Sequence, residues 1–145
     1  MNVALRYREK HEALLKQFAH VQNTNDLYEM LILLGKALPT PLYHIEEERF
    51  LVSGCQSTMY LASHCQEGIM SYSISTDALL SRGLAALLYN TYHQESYELI
   101  LNHPPQFMQE LHLDRYLSPG RSNGFASLYT RMKQDAFVFS MMQTL

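Results

Sequence analysis

The chain has no tryptophan, only two cysteines among 145 residues, and no hydrophobic run long enough to cross a bilayer. Two cysteines, Cys55 and Cys65, are too few for a disulfide framework or a four-cysteine cluster site. Two cysteines and two of the seven histidines could in number make a zinc site, but no C-x-x-C or H-x-x-x-H spacing supports one, so no metal and no cofactor is expected. The longest apolar stretches, Leu31 to Leu34 and Leu84 to Tyr89, fall far short of the roughly 20 residues a membrane helix needs. Lysine and arginine total 11 against 14 acidic residues, a net charge of -3, with no long basic run. Nucleic acid is therefore not an expected partner, because phosphate binding depends on clustered positive charge. The first sixteen residues mix Arg6, Arg8, Glu9, Lys10 and Glu12 and lack the apolar centre of a secretory signal, so a cytoplasmic protein is the expectation. The length suits one domain, residues 1–145, with no linker, repeat or low-complexity segment.

What the sequence does contain is periodic. Tyr7, His11, Leu14, Leu15 and Phe18 recur on one face of a first helix whose other face carries Arg8, Glu9, Glu12 and Lys16. Asn23-Thr24-Asn25-Asp26 offers capping side chains to a second helix striped by Leu27, Met30, Leu31, Leu34 and Leu38 and stopped by Pro39 and Pro41. Three strands follow: Phe50-Leu51-Val52, Thr58 to Ala62, and the alternating Met70, Tyr72, Ile74 against Ser71, Ser73, Ser75. Gln66-Glu67-Gly68 reads as the turn between the last two. Glu46-Glu47-Glu48 is most simply a solvated loop. Ser75-Thr76-Asp77 is placed to cap a third helix, apolar around most of its circumference and so central and buried. Short helices are expected over Tyr97 to Leu101 and Pro105 to Leu111. A long final helix starts at Ser118-Pro119 and reaches about Met141, with Phe125, Leu128, Met132, Ala136 and Phe139 inward. In that helix Gly120 and Gly124 leave room for close backbone approach. The sum is an α+β domain: a three-stranded antiparallel sheet with helices packed on one face.

The stretch with chemical content is Gly54-Cys55-Gln56-Ser57. A glycine before the cysteine admits positive φ and a low backbone, so the thiol sits on a turn that a second macromolecule can approach. Taken alone, this tetrapeptide is equally well a buried, inert cysteine. Cys65, alternating with Leu61 and Met59, reads as a packing residue, and a resolving role for it stays open.

Four blocks occur together: Leu34-Gly35-Lys36-Ala37-Leu38-Pro39, Gly54-Cys55-Gln56-Ser57, Asp77 to Leu88, and Leu117-Ser118-Pro119-Gly120-Arg121-Ser122-Asn123-Gly124. In that order and spacing the chain resembles the SufE family, sulfur acceptors that partner a cysteine desulfurase, from about residue 10 to about residue 140. The resemblance implies the α+β fold shared with the scaffold IscU. It implies no enzymatic turnover of the chain's own, but an accessory role in iron-sulfur cluster assembly. Cys55 would carry persulfide sulfur from a SufS-like or CsdA-like desulfurase, stimulating it, to a SufBCD-like scaffold complex. A thiolate is the nucleophile such a transfer needs, and an unperturbed thiol is only a few per cent ionised at neutral pH. Arg121, matching the family's L-S-P-x-R-S-x-G block, is the candidate for supporting that charge, and capping or pairing near a helix end is its other reading. Asp77 is expected to hold an arginine or cap the central helix, Gln56 and Ser57 to fix the loop's turn, and Gly54 to act as hinge. Two positions depart from the family pattern. Tyr60 stands where a tryptophan is common, and Phe50 where an asparagine is often found. A scaffold of the IscU kind would need three cysteines; a thiol-redox protein pairing Cys55 with Cys65 is the main alternative. An apolar helix face and a dimer seam look alike in sequence, so a homodimer stays open.

Overall fold

A computed structural model describes residues 3–143. Helix α1 (Val3–Phe18) and helix α2 (Thr24–Lys36) come first, followed by a 3-10 turn at Glu48–Phe50, strand β1 (Tyr60–Gln66) and strand β2 (Ile69–Ser75). Helix α3 (Leu79–Tyr92), strand β3 (Glu95–Ser96), helix α4 (Tyr97–Asn102) and helix α5 (Phe107–Glu110) lead to a second 3-10 turn at Leu113–Tyr116. The long helix α6 (Pro119–Gln143) ends the described chain. The sheet is antiparallel in the order β1-β2-β3. Glu67 (φ 53°) and Gly68 (φ 80°) both take positive φ in the two-residue turn between β1 and β2, the geometry whose twist matches a hairpin.

Met70, Tyr72 and Ile74 bury one face of β2, as the alternation predicts. That face meets α6, where the buried Tyr72 hydroxyl donates to the Met132 carbonyl at 3.1 Å. Helix α3 fills the centre, with Leu84, Ala85, Ala86, Leu87 and Leu88 all buried. Helix α2 crosses it closely because both helices carry a glycine at the contact. A Cβ on Gly83 would strike the Leu31 backbone carbonyl, and one on Gly35 would come within 2.9 Å of the Arg82 Cβ. Among the described residues no helix is long and apolar enough to cross a membrane.

Three expectations need correction. Phe50-Leu51-Val52 is not a strand: Glu48–Phe50 forms a 3-10 turn and Leu51 makes a single bridge to Tyr60. The carbonyls of Arg49 and Leu51, free for a ladder by sequence, instead accept from the Arg131 guanidinium of α6 at 2.9 and 3.0 Å. The third strand is the two-residue Glu95–Ser96, too short to show a period. Strand β1 begins at Tyr60 rather than Thr58 and runs on to Gln66. The cap of α3 is Ala78, with no side-chain hydrogen bond. Thr76 Oγ1 donates to the Thr58 carbonyl at 2.8 Å instead, and Asp77 is exposed.

Glu95 joins α1 to the sheet edge. Its carboxylate, 2 % exposed, accepts from Arg6 Nη2 and from Lys10 Nζ, each at 2.6 Å. Burial alone would push this carboxyl up, but the hydrogen bonds and charges of Arg6 and Lys10 outweigh it and hold it below the usual range. A carboxyl depressed in the folded state stabilises fully above its unfolded value of about 4.3, and that contribution fades as pH falls through the folded value. Glu95→Gln is therefore expected to cost about 2 kcal/mol at pH 7. Urea midpoints of the two proteins should converge below about pH 4; a pH-independent gap would refute the ion-pair account.

Candidate functional site

The loop carrying Cys55 is closed at its base and pinned on three sides. The Val52 amide donates to the Met59 carbonyl at 2.9 Å, one residue inside the Leu51 to Tyr60 bridge. Thr76 holds the exit through Thr58, and Arg131 holds the entrance. Arg131 is itself oriented by Asp135 at 3.2 Å, which also accepts from Ser63 of β1 at 2.6 Å. A sequence reading missed this clamp. Its one visible sign is the i, i+4 spacing of Arg131 and Asp135, which looks like any surface pair on a helix.

Gly54 takes φ 88°, so the positive φ expected of it is present. It also lies against α6, where an added Cβ would come 2.5 Å from Ser127 Oγ. The turn thus needs glycine for conformation and for space. Cys55 follows, half-buried, its thiol turned toward the Gly124 carbonyl with sulfur and oxygen 3.8 Å apart. The thiol faces a cavity of about 10 Å³, lined by Met59, Leu84, Ala85, Phe125 and Leu128 on the apolar side and by Ser81 and Arg121 on the polar side. That is the room of about one water.

Helix α6 begins as the sequence predicts. Ser118 caps it, its hydroxyl accepting from the Arg121 amide at 3.2 Å, with Pro119 in the first helical position. Arg121 lines the cysteine cavity, but its guanidinium donates to Ser81 Oγ at 3.2 Å. Burial pushes the Cys55 thiol up from its ordinary value, so the closed site holds a neutral thiol. Gln56 does not bond the loop's own backbone as expected. Its side chain reaches α6, where Oε1 accepts from the Ser118 hydroxyl at 3.3 Å. Ser57 lines the cavity beside it. Gly120 and Gly124 also differ from each other. A Cβ on Gly120 would collide with Gln56 Oε1, whereas one on Gly124 would make ordinary contact, 4.0 Å from Cys55 Sγ.

Cys65 is elsewhere. It lies on β1 opposite Met70, half-buried against the core. Cys55 meets α6 at Gly124 and Ser63 meets it at Asp135, eleven residues or ~16 Å further along the helix. Cys65 lies two residues beyond Ser63, outside the ~7 Å Cα separation a disulfide requires.

Residues 12–136 match the family model described as "SufE: Fe-S metabolism associated domain". An uncharacterised SufE-like protein of Rhizobium etli is 30% identical over 88% of this chain and 89% of its own length. Another, of Synechocystis sp., is 28% identical over 90% of this chain and 82% of its own. SufE-like protein 1, chloroplastic/mitochondrial, of Arabidopsis thaliana is 34% identical over 88% of this chain, which spans 34% of that longer protein. The solution structure of a hypothetical protein from Thermus thermophilus superposes with a TM-score of 0.70 at 21% identity, covering 88% of this chain and 93% of that one, and so shares its fold. With a matching family model over most of its length and relatives that align nearly end to end, the chain belongs to the SufE family of Fe-S metabolism.

Proposed function

We propose that this protein is a sulfur acceptor that takes persulfide sulfur from a cysteine desulfurase onto Cys55 and delivers it for iron-sulfur cluster assembly. The observation that carries the reading is a single thiol on a loop closed at its base, half-buried over a pocket of about one atom's room. Such a pocket suits a cargo that must be kept from reductants and oxidants between two transfers. In the closed state burial keeps the thiol neutral and unreactive. Swinging out returns it toward an ordinary value of about 8.5, and the thiolate fraction rises. That thiolate attacks the outer sulfur of the donor persulfide. A bond forms between Cys55 Sγ and the sulfane sulfur, the donor's S–S bond breaks, and the donor cysteine leaves as a thiolate. The persulfide proton stays with the transferred sulfur, and no net oxidation occurs. Back in the pocket, the terminal sulfur would face Ser81 of α3 and Arg121 at the N-terminal end of α6, where amides and a guanidinium favour an anion. Gly54, with its positive φ, is the hinge in this scheme.

Removing donor persulfide also frees the desulfurase for another turnover, so the protein should accelerate it. The test mixes this protein with a cysteine desulfurase and cysteine, follows alanine release and takes intact masses. One added sulfur atom per chain and faster alanine release are expected. An unchanged mass in the presence of an active desulfurase would end the proposal. The thiol-redox alternative is disfavoured by the position of Cys65, which cannot resolve Cys55 while β1 is formed.

A further inference from the structure

Gln56 occupies a seat that only a glycine at position 120 provides. Its Oε1 lies against the Gly120 Cα, where an alanine methyl would collide with Oε1 and come within 3.0 Å of Cδ. The same oxygen accepts from Ser118, whose hydroxyl also caps α6 by accepting from the Arg121 amide. One hydroxyl therefore ends the helix and ties down the residue next to Cys55. No other side-chain hydrogen bond is seen, among the described residues, from loop positions 53–57 to the rest of the protein apart from the long thiol contact to Gly124. The exit is held by Thr58 and the entrance by Val52 and Arg131, so Gln56 is the polar attachment of the segment between them.

We propose that Gln56 is a latch, seated on Gly120 and Ser118 at the start of α6, that sets how often the Cys55 loop opens. It is a positioning residue: from the wall of the cavity it acts on the thiol's exposure through its hold on Ser118. An exposed, single hydrogen bond is a weak tie, and weakness suits the role. A net contribution typical of such a bond changes a closed-to-open ratio roughly threefold to tenfold, enough to regulate exchange without locking the loop. The proposal rests on the reading of Cys55 as a gated thiol, but its readout is alkylation rather than sulfur transfer, so either can fail without the other.

The experiment measures the rate of iodoacetamide alkylation of Cys55 from pH 6 to 10 in a Cys65→Ser background, for the parent, Gln56→Ala, Gly120→Ala and the double variant. Thermal melts confirm folding. Gly120→Ala lies in the first turn of a helix and replaces glycine by a better helix former, so it should not loosen α6. At pH 7 Gln56→Ala and Gly120→Ala should each react roughly threefold to tenfold faster than the parent. Their pH profiles should shift toward the ordinary thiol midpoint of about 8.5. The double variant should react no faster than Gln56→Ala, because the added methyl has nothing left to displace. Parent-like rates in Gln56→Ala would overturn the proposal. So would an acceleration by Gly120→Ala that is as large without Gln56 as with it, since the effect would then come from the helix and not from the seat.

Discussion

Cys55→Ser is expected to take up no sulfur at all, and Cys65→Ser to take up as much as the parent protein. The asymmetry follows from where the two side chains lie. Cys55 faces a cavity from a loop closed at its base and held between by the single Gln56 to Ser118 hydrogen bond and the long thiol contact to Gly124, whereas Cys65 is held in β1 by pairing across to Met70. Both thiols are half-buried, but carrying Cys65 outward to a donor would require opening the hairpin, whereas carrying Cys55 outward requires moving about six residues. A serine hydroxyl is similar in size and keeps the loop's contacts, so the loss in Cys55→Ser would report chemistry and not misfolding. Melting temperatures of the two variants should stay close to the parent. Intact mass after incubation with desulfurase and cysteine distinguishes the cases. A sulfur adduct retained on Cys55→Ser and missing from Cys65→Ser would reverse the assignment.

The largest effect on stability should come from a residue with no side chain. Gly83→Val places a branched Cβ where the Leu31 backbone already sits, its carbonyl carbon and Cβ 2.6 Å from the new atom. Backbone within a helix cannot step aside as a flexible side-chain tip can. The helices α2 and α3 must therefore part, and Leu27, Leu31, Leu84 and Leu87, now almost inaccessible to water, would lose contact. Overpacking of this kind costs about 3 kcal/mol or more, which for a chain of this size lowers Tm by about 10 °C. Gly124→Ala is the matched control, since its Cβ would make only ordinary contacts near 4 Å and alanine favours the helix. Calorimetry on both settles the comparison; a Gly83→Val melt within about 2 °C of the parent would mean the helices tolerate separation.

Features written locally were legible. Asn23 caps α2 by accepting from the Asp26 amide, and Ser118 with Pro119 starts α6, because capping chemistry spans only three residues. The inward stripe Phe125, Leu128, Met132 and Ala136 and the alternation of β2 were legible for the same reason. What stayed hidden depends on residues far apart. Arg131 takes two carbonyls some eighty positions upstream and so denies Phe50–Val52 a ladder. Glu95 looks like a surface carboxylate until Arg6 and Lys10 arrive from the other end of the chain. Cys55 and its loop were found by their residues, whereas Gln56's attachment to α6 was not, since nothing in Gly54-Cys55-Gln56-Ser57 says which element faces it.

The bridge between Val52 and Met59 leaves a tether of six residues, 53–58, with both ends fixed. Half of that length, fully drawn out, projects the sulfur by only ~10 Å. A donor cannot wait at a distance for this arm to find it. It must offer its own sulfur at or near its rim, or press close enough that a short arm reaches its interior, so the separation of the two bodies at the moment of exchange is dictated from this side by chain length.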